Sequence, residues 1–250
     1  MPRVGTALRE LRGAQKSAKG VSLYSRFVNR PAGRYLAAGS YALGLTPNQV
    51  TLVSAAFSFA AVAAVALAEP SWGLGTAVWA ALAVGFAFDS ADGQLARLRG
   101  GGSASGEWLD HVVDCAKLTV LHTCVLIAFY RFPDAYGIGG DGTGAGRAGL
   151  GGWLLVPLGF QFASVVTFFG GLLTEKLKPK PAPGNPAAAP SALRAVALLP
   201  VDYGVFCLVF LLLGDGALFR WAYAGLGAVA ALFLAAFLAK WFRELSAVPR

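Results

Sequence analysis

The chain has 250 residues, 56% of them hydrophobic and only 14% charged, with a net charge of +8 and a mean hydropathy of +0.59. A soluble domain carries about 25% charged residues, so the composition excludes an ordinary water-soluble domain and indicates a core solvated by lipid. The basic excess does not indicate nucleic acid, because no zinc-finger or RNA-binding signature accompanies it and it sits beside apolar runs.

From the N-terminus, MPRVGTALRELRGAQKSAKG is basic and polar and has no contiguous apolar core, so no cleavable signal peptide is expected. Arg3, Arg9, Arg12, Lys16, Lys19, Arg26, Arg30 and Arg34 precede the first apolar run, against the single acid Glu10. Such a segment suits a cytoplasmic position against anionic lipid headgroups. From Ser22 to Ala42 the sequence interleaves Leu23, Phe27, Val28, Tyr35 and Leu36 with Arg26, Arg30 and Arg34. That pattern predicts an interfacial amphipathic helix, bent or divided at Pro31. Thr46 and Pro47 then read as the N-cap and first residue of a helix.

Six apolar segments are long enough to cross roughly 30 Å of hydrocarbon. They run from Asn48 to Ala68, Gly73 to Arg97, Glu107 to Tyr130, Trp153 to Leu173, Val196 to Leu213 and Ala217 to Trp241. The fold class expected is an all-α integral membrane protein of six transmembrane helices with an N-terminal interfacial helix. The division expected is a basic juxtamembrane segment over 1–46 and a six-helix catalytic unit over 47–245. With both termini inside, every lysine and arginine except Lys117, Arg131, Arg147 and Arg220 falls on the cytoplasmic side. Phe132 to Gly152 reads as a glycine-rich outer loop, and Lys178 to Pro190 as an irregular inner linker. Cys115, Cys124 and Cys207 lie inside apolar runs at spacings that fit no metal or redox motif, and read as packing residues.

The informative stretch is DSADGQLARLRGGGSASGEWLDHVVD, residues 89–114. Asp89 and Asp92 share one helix face, and Asp110 and Asp114 share a face of the next helix. RLRGGGSASG between them suits a tight reversal. Two facing helices then bring four carboxylates together, and buried charge must be paired or ligate metal. Oxygen-only ligands suit Mg²⁺ or Mn²⁺, and four carboxylates can hold two such ions about 4 Å apart to clamp phosphoryl oxygens. Arg97 is placed to meet a phosphate on that side, and Gly93 permits close approach of a ligand. Lys117 lies within a span one turn beyond Asp114, either to bind a phosphate or to offset the aspartates. His122 reads as a hydrogen-bonded span residue. A cation channel or transporter would also place acids in a membrane, but it would spread ionisable groups toward both faces.

The residues Asp89, Asp92, Gly93, Ala96, Arg97, Gly106, Asp110 and Asp114 spell D-x2-D-G-x2-A-R-x8-G-x3-D-x3-D. This resembles, at all eight positions, the signature of the CDP-alcohol phosphotransferase (CDP-alcohol phosphatidyltransferase) family, and LTPNQVTLVS is similar to the segment opening that family's first span. The resemblance implies transfer of a substituted phosphate from a CDP-linked donor to an alcohol acceptor, releasing CMP. It implies that Asp89, Asp92, Asp110 and Asp114 bind two metal ions, with Asp114 also the general base. It further implies that Gly93, Ala96, Arg97 and Gly106 line the cytidine diphosphate pocket, with Asn48 and Thr51 as further candidates. Lys117, Arg194 and Asp202 are acceptor-binding candidates, and a homodimer is expected on resemblance alone. The donor expected is CDP-diacylglycerol, for phospholipid synthesis, with CDP-inositol the alternative.

Overall fold

The computed structural model describes residues 4–13, 21–139, 144–179 and 191–248; the linker beyond Pro179 and residues 140–143 of the glycine-rich loop lie outside the described residues. Helices make up most of the described residues, and there is no strand among them. Helix α1 (Val4–Gly13) leads to a π-helical turn, Ser25–Asn29, which runs directly into α2 (Arg30–Ala42). Pro31 is the second residue of α2, and its missing N–H falls where the π-helical turn gives way to α-helix. The long helices are α3 (Pro47–Leu67), α4 (Trp72–Leu98), α5 (Ala104–Arg131), α6 (Gly144–Leu177) and α9 (Gly216–Ser246). Five helical segments are long and apolar enough to cross a membrane: α3, α4, α5, Leu150–Leu177 and α9.

The sixth segment departs from the continuous Val196–Leu213 span expected. Short helix α7 (Ala192–Ala197) and a 3-10 turn, Leu199–Val201, are followed by α8 (Tyr203–Leu208) and a second 3-10 stretch, Val209–Gly214. The two halves meet at 47° around Asp202 and form a sixth span only if the bent pair is counted as one. Pro200 cannot donate to the preceding turn. Asp202, in an extended conformation, caps the new helix by accepting from Gly204 N and Val205 N.

The N-terminal region also holds more structure than its polar composition predicts. Ala7 and Leu11 of α1 are buried with Ala37 and Ala38 of α2, Val50 of α3, and Ala91 and Leu95 of α4. Helix α2 lies close against α4. A Cβ on Gly33 would come within 2.8 Å of Ser90 Cβ, and the buried Gln94 amide donates to Arg30 O at 3.1 Å. Phe27, Val28 and Tyr35 stay exposed on the opposite side, the distribution of an interfacial helix.

Two other features set the frame of the site. Thr46 and Gln49 form a reciprocal capping box at the start of α3, with Gln49 N donating to Thr46 Oγ1 at 3.3 Å and Thr46 N to Gln49 Oε1 at 2.9 Å. The α4–α5 reversal passes through Gly100 and Gly101, at φ +90° and +132°, backbone angles that only glycine adopts at little cost. Gly101 N closes the end of α4 on Ala96 O at 3.0 Å, and Ser103 opens α5 by accepting from Gly106 N at 3.0 Å. The main core is aromatic: Phe129, Phe160, Phe206, Phe210, Phe219 and Tyr223 pack around the bent segment. Within it, His122 bonds Tyr223 Oη at 2.6 Å and Ser164 Oγ at 3.1 Å. The three cysteines are free, as expected of packing residues.

Candidate active site

The glycine reversal lays the C-terminal half of α4 beside the start of α5, and the aspartates meet there. Asp89, Asp110 and Asp114 each offer a carboxylate oxygen within 4.8 Å of the others. Asp92 departs from the four-carboxylate point expected. It is buried, and its Oδ2 accepts from Thr51 Oγ1 of α3 at 2.6 Å. Thr51 Oγ1 is also 3.2 Å from Pro47 O. Its single proton goes to the shorter, charged acceptor.

Lys117 accounts for part of the charge balance. Its ammonium pairs with Asp89 and, at 3.1 Å, with Asp114. It also donates to Ser54 Oγ at 3.1 Å, while Ser54 itself donates to Gly85 O at 2.7 Å. These ion pairs are the contacts that the charge-offsetting reading of Lys117 calls for. These groups border a cavity of about 160 Å³, walled by Phe86, Phe168 and Tyr203 and reaching Asp89, Asp114 and Lys117.

The remaining candidates lie around this centre. A Cβ on Gly106 would come 3.1 Å from Asn48 Oδ1, so the start of α3 and the start of α5 are in contact at these two residues. Beside Gly93, a Cβ would meet only Arg97 Nη1, at 3.6 Å, leaving that side of α4 open. Ala96 and Arg97 are half-buried on the last turns of α4, and Arg97 lies within electrostatic reach of Asp92 and Arg30. Asp202 is buried at the bend, where it accepts from Ser25 Oγ at 2.6 Å and from Ser22 Oγ. Arg194 belongs to α7; its side chain lies outside what is described. Glu107 sits in the first turn of α5, paired with Lys176 of α6. His111 turns to the Phe168 ring, 6.3 Å between centroids.

Sequence reasoning missed Ser22, Ser25 and Tyr203. A serine in a basic leader and a tyrosine in an apolar run carry no spacing signal. The bend that brings them to the site is encoded in Pro200 and Asp202, within a stretch hydrophobic enough to read as continuous.

The three clustered aspartates could hold a metal ion. Their donor set is oxygen only, which suits a hard divalent cation, and their charge exceeds what Lys117 alone offsets. A family model for CDP-alcohol phosphatidyltransferases matches residues 44–198. That is more than half of the chain, and the chain belongs to this family: an integral membrane protein with the family's aspartate motif at the junction of two spans. A curated relative, a phosphatidylinositol phosphate synthase from Corynebacterium glutamicum, is 43% identical over 74 residues. The match covers 29% of this chain and 31% of the relative, so the chain spans about a third of the length of the relative it matches.

Proposed function

We propose that the chain is a phospholipid synthase that moves a phosphatidyl group from CDP-diacylglycerol to the hydroxyl of an alcohol acceptor and releases CMP. The observation that carries this reading is the convergence of Asp89, Asp110 and Asp114, with a cavity beside Asp114, at one end of two membrane helices. The similarity to a phosphatidylinositol phosphate synthase supports CDP-diacylglycerol over CDP-inositol as donor and a phosphorylated inositol as acceptor.

Asp89, Asp110 and Asp114, with Asp92 beside them, would hold two Mg²⁺ or Mn²⁺ ions, and these would supply charge neutralisation to the donor pyrophosphate. Asp114, at the cavity edge, takes the acceptor's hydroxyl proton. The freed oxygen forms a bond to the donor's lipid-bearing phosphorus, the bond from that phosphorus to the bridging oxygen breaks, and CMP departs with that oxygen and the electron pair. Phe86 and Phe168 give the cavity apolar walls, and an acceptor seated there would displace water, which favours transfer over hydrolysis. Gly93, Ala96, Arg97 and Gly106, with Asn48 and Thr51, form the cytidine diphosphate side. The open face at Gly93 lets a ligand approach the helix backbone closely. Lys117 orients Asp89 and Asp114 through its ion pairs, and Arg194 is a further acceptor-binding residue of this reading.

The unit doing this work runs over 47–245, with 1–46 as its juxtamembrane attachment and a homodimer as its assembly. The basic residues flanking the spans assign the aspartate end and both termini to the cytoplasmic side. The reaction is tested with the purified full chain in detergent, CDP-diacylglycerol, Mg²⁺ or Mn²⁺, and inositol phosphate, inositol, glycerol 3-phosphate or serine as acceptor. CMP release with formation of phosphatidylinositol phosphate is expected. CMP release only with CDP-inositol as donor contradicts the donor assignment.

A further inference from the structure

Lys117 on α5 and Ser54 on α3 are both buried. An ammonium has three protons to donate, and each has an acceptor here: Asp89 Oδ1, Asp114 Oδ1 at 3.1 Å and Ser54 Oγ at 3.1 Å. Ser54 donates its own proton to Gly85 O at 2.7 Å, which leaves a lone pair of its oxygen to face the ammonium. A buried cation is tolerated when it is paired and hydrogen-bonded, and Lys117 meets both conditions. Carboxylates from α4 and α5 and a hydroxyl from α3 therefore form a seat for one positive charge at the aspartate group.

This seat changes how many further cations the site can take. Asp89, Asp110 and Asp114 each offer an oxygen within 4.8 Å of the others. With Lys117 among them, the three carboxylates leave two negative charges, the charge of a single divalent ion. Asp92 lies beside the group, and Arg97 is a cation within electrostatic reach of Asp92, so that pair adds no net charge. A second divalent ion would leave two positive charges in excess, at the edge of a membrane where uncompensated charge is costly. It would also compete with Lys117, which engages one oxygen of Asp89 and one of Asp114. The pyrophosphate of a CDP-linked donor carries two negative charges, which cancel that excess.

We propose that Lys117 takes the place of a cation in the donor-free site, so that the site binds one divalent ion by itself and a second only together with the donor. The inference rests on the proposed transfer reaction for the identity of that donor. The purified full chain in detergent is titrated with Mn²⁺, and the free ion is counted by electron paramagnetic resonance, with and without CDP-diacylglycerol and with no acceptor. Detergent holding the same CDP-diacylglycerol and no protein gives the ion that the lipid binds unaided. Wild type binds about one Mn²⁺ per chain alone and about two with the donor. Lys117→Met removes the charge and binds the second ion without donor, about tenfold or more tightly than wild type does. Ser54→Ala removes a hydrogen bond of the ammonium, keeps its charge and keeps the wild-type counts, which separates charge from packing. The wild-type counts decide the order of loading whether or not Lys117→Met folds. Two ions in the wild-type chain without donor overturn the proposal. So does the lack of a second ion on adding donor to a preparation that releases CMP once acceptor is present. A Lys117→Met variant that binds the second ion no more tightly than wild type overturns the part given to Lys117. The expected counts without CMP release from any acceptor support the proposal and overturn the transfer reaction.

Discussion

Thr51 on the first span donates a hydrogen bond from its hydroxyl to Asp92 on the second at 2.6 Å, beside the Asp89–Asp110–Asp114 group. A threonine hydroxyl thereby fixes the orientation of a buried carboxylate across an interhelical contact. Thr51→Val keeps the shape and removes the donor. It leaves a buried carboxylate short of one hydrogen bond, at a cost of about 1–3 kcal/mol. The expected outcome is a lower melting temperature and a loss of metal-dependent CMP release of about tenfold or more. Thr51→Ser restores both. Thermal unfolding and CMP assays on the three proteins check this.

Lys117 pairs with Asp89 and Asp114. Removing one partner of a buried ion group is strongly destabilising, by about 3–5 kcal/mol. Lys117→Met should therefore melt well below wild type in chelator. Divalent cation restores much of the loss, because its binding to the folded state takes over the charge balance. Unfolding curves with and without Mn²⁺ measure this directly. A variant as stable as wild type in chelator contradicts the charge-balancing role.

Gly85 allows the first two spans to approach at the level of Ser54 and Ser58. A Cβ there would stand 2.6 Å from Ser58 Oγ and 3.1 Å from Ser54 O, and the Ser54 bond to Gly85 O depends on this closeness. Small residues at such contacts are the usual means by which membrane helices pack. Gly85→Ala forces α3 and α4 apart and costs about 1–3 kcal/mol, read as a drop in melting temperature. Because Ser54 also accepts a hydrogen bond from Lys117, activity falls with it.

Much of this was legible in the sequence, and the residues explain where legibility ended. Hydropathy located most long spans to within a few residues, as for Asn48–Ala68 against Pro47–Leu67, but α6 starts at Gly144, within the stretch read as a glycine-rich loop, because glycine lowers helix propensity without forbidding a helix. The aspartate spacing located three members of the site because i, i+3 and i, i+4 geometry is local to a helix. The orientation of Asp92 was not local: it depends on Thr51, 41 residues away. The break at Asp202 was hidden because hydropathy averages over the residues that cause it. The burial of α1 was hidden because only Ala7 and Leu11 of its ten residues reach the core. The bond from Ser22 to Asp202 spans 180 positions, and no periodicity encodes such a pairing.

The account turns on Asp114, which stands at once in the carboxylate group, beside Lys117 and at the cavity edge. The most direct measurement is CMP release from CDP-diacylglycerol in the presence of inositol phosphate and Mg²⁺ or Mn²⁺, comparing the wild-type chain with a folded Asp114→Asn variant. The account predicts metal-dependent turnover in wild type and a loss of about a thousandfold or more in the variant, the combined effect of losing a proton acceptor and a metal-binding carboxylate. Turnover within a few-fold of wild type in Asp114→Asn contradicts it.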